Sequence, residues 1–332
     1  MLSIADYFMP PLANFEVQRA QMVPALTALR FANAALDFAF YDVQAFSRTL
    51  ARDGVELDWT DAAADQPVQE QANLSAMLNP EGSILIVNAA NAPHVLRFTD
   101  FQTFVDALAS GVHRVEAVSV SGVGSSALGS AALAWNVSTA FQQPVAAIVP
   151  GYGLADVVQQ ALGGWFGFEM YSYWIKQPVQ DILARVAPDA ATIGRQLLAT
   201  TPGHAVAPGT GVPVFRRGSG SSDVLHALLR LANNFTTLVG HSKGALVIGN
   251  AIADLPDECL ERLHIMTFGC VIAENTHVKR YDQFLGTFDA LGFLNSGGNH
   301  AEHSIPAWHS TNTESSLSMR VEQLVTLPAT EN

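Results

Sequence analysis

Apolar and polar positions follow one another in blocks that predict a regular succession of strands and helices. Short apolar runs predict buried strands at 83–88, 115–120, 145–149, 235–239 and 264–269, with 95–98 pairing with the first. Longer stretches between them predict helices at 101–109, 125–141, 154–162, 223–232 and 245–253. Strands that alternate with helices favour an α/β fold, with a doubly wound, mostly parallel sheet covered by helices on both faces.

The first 60 residues have a helical pattern instead. From Pro24, a residue suited to the first helical position, apolar residues recur mostly every three, four or seven positions, at Leu26, Leu29, Leu36, Phe40, Val43, Phe46 and Leu50. Phe31 and Phe38 widen this face, and Gly54 is the predicted stop. We therefore predict an N-terminal helical appendage over 1–79 and a second domain over 80–332. The aromatic face either packs on that domain or contacts a lipid, a polymer or another protein.

Residues 165–222 interrupt the succession of strands and helices before the strand at 235–239. The segment opens with an aromatic cluster and continues into a polar, glycine-rich stretch from Gly203. We interpret it as an insertion that forms a lid or a pocket wall, with ordinary peripheral packing as the alternative.

Composition and net charge disfavour several classes of protein. The 332 residues are 49% hydrophobic, with a mean hydropathy of +0.20, enough for one large domain with an appendage. We find neither a long apolar run nor a basic start followed by an apolar core, so we expect no membrane span and no secretory leader. Its two cysteines, Cys259 and Cys270, fit a reducing compartment, so we predict a cytoplasmic protein. The net charge of −13, without a basic cluster, disfavours nucleic-acid binding.

Candidate chemistry lies between the strand at 235–239 and the helix at 245–253. The linking residues Gly240-His241-Ser242-Lys243-Gly244 form the G-x-S-x-G pattern, in which a serine occupies a sharp strand-to-helix turn. Glycines two positions on either side let strand and helix pass closely, and the helix N-terminus directs its positive dipole end at developing negative charge. The pattern predicts Ser242 as a nucleophile; the alternative is a tight turn with an ordinary serine.

This turn resembles the nucleophile elbow of the α/β-hydrolase superfamily, and the sequence after it looks most like that of lipase and esterase members. The resemblance covers the element order of most of 80–332. It implies an α/β-hydrolase fold and a catalytic triad in the chain order serine, acid, histidine. It also implies hydrolysis without a cofactor or a metal ion.

The triad acid is expected after a strand that follows Thr267-Phe268-Gly269. Asp289 ends the apolar run at 284–288, in an order that resembles the lipase pattern, and is the leading candidate. Asp282 is the alternative acid, although a charge beside Lys279 and Arg280 is also typical of a helix surface.

The triad base is expected beyond the acid, where His300, His303 and His309 remain. His309 is the last histidine and opens a loop rich in serine and threonine, so we predict it as the base. His300 and His303 are alternatives, and their spacing lacks that of an H-E-x-x-H zinc site. His241 lies inside the turn and is not expected to act as the base.

An oxyanion hole needs two N–H donors. The resemblance implies the amide of Lys243, which follows the nucleophile, and one from the loop after an earlier strand. We predict the amide of Val123, although Ser121 stands where the family pattern has a histidine; 150–153 offers a competing loop. The Gly122-Val123-Gly124 stretch also imitates a dinucleotide fingerprint, but no acidic residue ends the next strand, which disfavours that alternative.

Together these residues predict a serine esterase or lipase that acts on a small-molecule or lipid ester. Thioesters, polyesters and acyl transfer to an alcohol are variants that use the same triad. The second hypothesis is a non-catalytic binding protein of this fold, whose N-terminal aromatic helix contacts a lipid, a polyester or a protein partner.

Overall fold

The computed structural model describes residues 35–54, 68–70, 82–98, 101–122, 124–150 and 220–325. The strands are β1 Val68–Glu70, β2 Ile84–Val87, β3 Val95–Phe98, β4 Ala117–Val120, β5 Val145–Ile148, β6 Thr237–His241, β7 His264–Phe268, β8 Arg280–Gly286 and β9 His303–Ile305. The helices are α1 Val43–Arg52, α2 Phe101–Ala109, α3 Ala127–Phe141, α4 Gly220–Leu231, α5 Lys243–Ala251, α6 Asp257–Leu260, α7 Ala290–Asn295 and α8 Val321–Leu324. Residues 35–40 form an additional helical stretch.

The strands form one mixed, mostly parallel sheet of nine strands in the order β1-β3-β2-β5-β4-β6-β7-β8-β9. Pairing is parallel from β5 through β4 to β9 and antiparallel among β1, β3, β2 and β5. The predicted α/β class with a mostly parallel sheet is confirmed. After β5 the chain crosses β4 to form β6, so a topological switch point lies at the carboxyl end of β4, where open α/β sheets bind ligands.

Each face of the sheet has its own apolar core because successive strand residues point to opposite faces. Ile84 and Ile86 pack on one side with residues of α2, α4, α5 and α6. Leu85 and Val87 pack on the other side with residues of α1, α3 and α8. The middle of the sheet is therefore buried on both faces, which explains why β2 and β5 are continuous apolar runs rather than alternating ones.

The N-terminal helical pattern takes a different form from the single run that the sequence predicts. The helix at 35–40 ends, Tyr41 and Asp42 are non-helical, and α1 begins at Val43. Asp42 has long-range partners: its carboxylate accepts hydrogen bonds from Asn136 and Thr313. These contacts fix a bend that local sequence does not specify. Gly54 has a φ of +79° just beyond α1, at the predicted stop.

The described part of the N-terminal region packs into the same core as the sheet. Val43, Phe46 and Leu50 of α1 are buried, and the Phe46 ring lies 5.2 Å from that of Trp135 in α3. The division at residues 79 and 80 stays a prediction. The predicted helix start at Pro24, the insertion at 165–222 apart from its last three residues, and Val123 lie outside the described residues. Among those that are described, no helix has the length and hydropathy of a membrane span.

Candidate active site

Ser242 occupies a sharp, strained turn between β6 and α5. Its φ of 54° and ψ of −128° fall in a region that non-glycine residues rarely adopt, and such strain persists only where the surrounding structure holds it. Its N–H donates to the carbonyl oxygen of Phe268 at 2.7 Å. The residue is 9% exposed. Ser242 is thus presented at the carboxyl edge of the sheet by a fixed backbone.

The turn depends on the close approach of α5 to its neighbours. A Cβ on Gly244 would collide with the carbonyl oxygen of Val120 at the end of β4. A Cβ on Gly240 would stand 2.8 Å from the backbone of Ala245. Only glycine therefore fits at either position, which accounts for both glycines of the pattern.

A continuous hydrogen-bonded chain leads away from Ser242. The Nε2 of His309 lies 2.8 Å from the Ser242 Oγ, and the Nδ1 of His309 lies 2.8 Å from Oδ2 of Asp289. Because a carboxylate only accepts, the neutral imidazole donates from Nδ1 to Asp289, and its Nε2 accepts from the serine hydroxyl. The geometry is that of a nucleophile, a general base and an orienting acid.

These side chains come from the carboxyl ends of parallel strands, which meet at one edge of the sheet. Ser242 follows β6 directly, Asp289 lies three residues after β8, and His309 lies four residues after β9. Asp289 is held in place because its Oδ1 accepts the N–H of Gly292 at 2.6 Å, capping α7. It is 3% exposed. The structure therefore brings Ser242, Asp289 and His309 together.

The alternative acid has other partners. Asp282, within β8, accepts from Nε2 of His264 at 2.5 Å and from the guanidinium of Arg280 at 2.8 Å. Burial lowers the pKa of His264, opposed by its hydrogen bond to Asp282. Asp282 is thus paired on β7 and β8, away from the hydrogen bonds of His309.

The alternative base His303 lies elsewhere as well, and His300 is exposed. His303 stacks on Phe284 and lies 3.6 Å from Asp282. Among the described residues, Asp282, Glu302 and His303 hold donor atoms within 4.8 Å of one another. Arg280 already places a cation on this carboxylate, so the donor set does not favour a metal ion.

His241 packs beside the hydrogen-bonded side chains of Ser242, His309 and Asp289 and is not one of them. Its Nδ1 lies 2.8 Å from the hydroxyl of Tyr41, and its ring centroid lies 5.1 Å from that of His309. Burial, and then the charge of His309 when that ring is protonated, hold the pKa of His241 well below its ordinary value. A neutral His241 adds no repulsion when His309 takes up a proton.

Of the two expected oxyanion donors, Lys243 is among the described residues and Val123 is not. Lys243 is the first residue of α5, and the first four N–H groups of a helix have no partner within that helix. Gly122, just after β4, is close to the nucleophile: a Cβ on it would stand 3.3 Å from the Ser242 Cβ. The loop after β4 thus reaches the serine, as the oxyanion prediction requires. The assignment of the donor to Val123 stays a prediction.

A pocket of about 150 Å³ opens beside Ser242. The residues that give it apolar walls come from the N-terminal segment and from α7, and they include Leu36, Phe40, Tyr41 and Leu291. The rest of the lining is mostly polar and includes Asp37, Lys243, Asn295, His309 and the backbone near Gly122. The pocket can therefore accept an apolar group next to the serine hydroxyl.

Sequence reasoning missed Asp37 and Tyr41, which also line this pocket. Burial raises the pKa of Asp37 to about 7, although hydrogen bonds from Ser126 and Ser125 lower it. Burial, and then the charge of Asp37, raise the pKa of Tyr41. In the sequence, a spacing of four residues places them on one face of the predicted helix, although Tyr41 lies just beyond the observed helix at 35–40. That spacing is common on ordinary helices and does not indicate a site.

Comparisons with models of protein families, with curated proteins and with solved structures give no match for this chain.

Proposed function

We propose that this protein is a serine hydrolase of the α/β-hydrolase fold that cleaves carboxylic esters through an acyl-enzyme on Ser242. The observation that carries the proposal is the hydrogen-bonded chain from Ser242 through His309 to Asp289, with the serine on a strained strand-to-helix turn. The chain order serine, acid, histidine and the G-x-S-x-G turn support the superfamily.

The reaction divides into two acyl transfers. Ser242 Oγ attacks the ester carbonyl while Nε2 of His309 takes its proton, and His309 then protonates the departing alcohol. A water molecule, deprotonated by His309, then attacks the acyl-enzyme; the bond from the acyl carbon to Ser242 Oγ breaks, His309 returns the proton to Oγ, and the carboxylic acid leaves. Asp289 keeps the imidazole in the required orientation and stabilises its charged form. The amides of Lys243 and of the loop after β4 hold the negative charge on the carbonyl oxygen.

The pocket favours esters with an apolar acyl group. Leu36, Phe40 and Leu291 offer an apolar surface on which an acyl chain can pack, although Asp37 and Lys243 also line the pocket. Thioesters and polyesters contain the same carbonyl chemistry and are variants of this substrate class.

The test is hydrolysis of p-nitrophenyl esters of increasing acyl length by the wild type and by Ser242→Ala. We expect the variant to lose activity by about three or more orders of magnitude, because removal of the nucleophile leaves only binding and the oxyanion contacts. The chain-length optimum of the wild type then measures the acyl pocket. A wild type inactive on every ester would favour the non-catalytic binding protein instead.

A further inference from the structure

Residues 37–42 contact three separate parts of the candidate site. The helix at 35–40 ends with carbonyl groups that need partners outside the helix. The loop after His309 supplies them: Ser310, Thr311 and Asn312 donate to the carbonyl oxygens of Ala39, Phe40 and Phe38. The same segment also holds the loop after β4 and the nucleophile turn, through the side chains of Asp37 and Tyr41.

Tyr41 bridges the other two parts with one hydroxyl group. Its oxygen accepts the N–H of Gly122 at 2.7 Å, and it lies 2.8 Å from Nδ1 of His241. The hydroxyl and this nitrogen share one hydrogen bond, whose donor is set by the tautomer of His241. One side chain, 3% exposed, thereby joins the loop after β4 to the residue that precedes the nucleophile.

Asp37, four residues before Tyr41 in the chain, holds the same loop. Its Oδ2 accepts the N–H of Ser126 at 2.8 Å, four residues after the contact that Tyr41 makes. The two hydrogen bonds therefore fix the loop on both sides of the predicted oxyanion donor. The loop passes close to the serine, since a Cβ on Gly122 would stand 3.7 Å from Ser242 Oγ.

We propose that Tyr41, with Asp37 as its companion, is a positioning residue that sets the distance between the loop after β4 and Ser242. The inference rests on the proposed function, because that distance matters only if an oxyanion forms between the two. Tyr41 does not touch the reacting atoms in this proposal; it acts through Gly122 and His241. The N-terminal segment is then part of the catalytic machinery rather than an appendage to it.

The test compares Tyr41→Phe with Tyr281→Phe. Tyr281 is a matched control because its hydroxyl also accepts a backbone N–H, that of Asn275, outside the site. Three quantities are measured for each protein: kcat and KM for p-nitrophenyl butyrate, the second-order rate of Ser242 labelling by a fluorophosphonate, and inhibition by a trifluoromethyl ketone. In the labelling step the serine oxygen bonds to phosphorus, fluoride leaves and His309 takes the proton.

We expect Tyr41→Phe to lower kcat and the labelling rate by at least about tenfold, with KM changed less than about twofold. The trifluoromethyl ketone, which forms an oxyanion adduct, should lose affinity in proportion to kcat/KM. Tyr281→Phe should leave all three unchanged. A purely structural role would lower the labelled fraction of the protein but not the rate of the folded fraction.

Unchanged labelling and inhibition in folded Tyr41→Phe would overturn the inference. If Tyr41→Phe does not fold, Gly129→Ala provides the test, because a Cβ there collides with the Asp37 carboxylate. It should lower kcat with little change in KM, and a normal kcat would overturn the inference. Failure of the proposed function has a different signature: no labelling of Ser242 in the wild type.

Discussion

The buried carboxylates of Asp289 and Asp282 have different roles because they have different hydrogen-bond partners. Asp289 faces Nδ1 of His309, whereas Asp282 is bonded to His264 and Arg280. Asp289→Asn should therefore lower kcat for ester hydrolysis by about four orders of magnitude, because the asparagine favours the wrong tautomer of His309. Asp282→Asn should leave kcat within a few-fold of the wild type.

Steady-state kinetics on the two variants measures the difference. Circular dichroism on each protein provides the control for folding. If Asp282→Asn removes activity and Asp289→Asn retains it, the acid assignment is wrong.

Asp37 makes the free energy of unfolding dependent on pH. Its pKa is raised from 3.8 to about 7 in the folded protein by burial, so the folded state binds this proton more tightly than the unfolded state. Below pH 3.8 both states hold the proton and Asp37 contributes nothing. As the pH rises from 3.8 to about 7, the free energy of unfolding falls. Above pH 7 it is lower by about 4 kcal/mol, the full cost of ionising buried Asp37.

Asp37→Asn removes this penalty, because its neutral amide has the shape of the protonated acid and its oxygen can still accept the N–H of Ser126. Urea unfolding should show the variant more stable than the wild type at pH 8 and equally stable at pH 4. Exposed Asp106, bonded to Gln102, is the control residue, and Asp106→Asn should follow the wild-type profile. Parallel profiles for Asp37→Asn and the wild type would contradict the prediction.

At the scale of elements, α5 contains two glycines with opposite expectations. A Cβ on Gly244 collides with the carbonyl of Val120, whereas a Cβ on Gly249 meets Ile272 at an ordinary 3.6 Å. Gly244→Ala should lower the free energy of unfolding by about 1–3 kcal/mol and reduce esterase activity, because β4 and α5 must move apart. Gly249→Ala should be neutral or stabilising by up to about 1 kcal/mol.

Urea unfolding and ester hydrolysis measured on the same preparations compare the two variants. If Gly244→Ala and Gly249→Ala lower the free energy of unfolding equally, the close approach of α5 to β4 is not the reason that alanine is unfavourable at position 244.

Local elements were the part of the fold that sequence predicted well. The turn at Ser242 was predicted because its glycines and its neighbouring strand and helix are all encoded within a few residues. The parallel sheet followed from strands that alternate with helices. The bend at Tyr41 and Asp42 was not predicted, since it depends on contacts with Asn136 and Thr313, which are distant in sequence.

At the scale of the whole molecule, the candidate site also contains residues that the sequence predicts and residues that it does not. Residue types and chain order pointed to Ser242, Asp289 and His309, which the structure brings into one hydrogen-bonded chain. Asp37 and Tyr41 carried no such signal, because their role is defined by partners at Ser126, Gly122 and His241. A single sequence contains no pattern that links such distant positions.

The contacts of residues 37–42 also have a kinetic consequence. Tyr41 is separated by 81 residues from Gly122 and by 200 from His241, and Asp42 is separated by 271 from Thr313. Contacts between residues so far apart in the sequence form slowly, since each must overcome the entropy of closing a long loop. The turn at Ser242 needs β4 and β7 beside it, and its surroundings are complete only when residues 37–42 contact the loop at 310–313. On refolding, secondary structure should therefore return before the ability to turn over an ester.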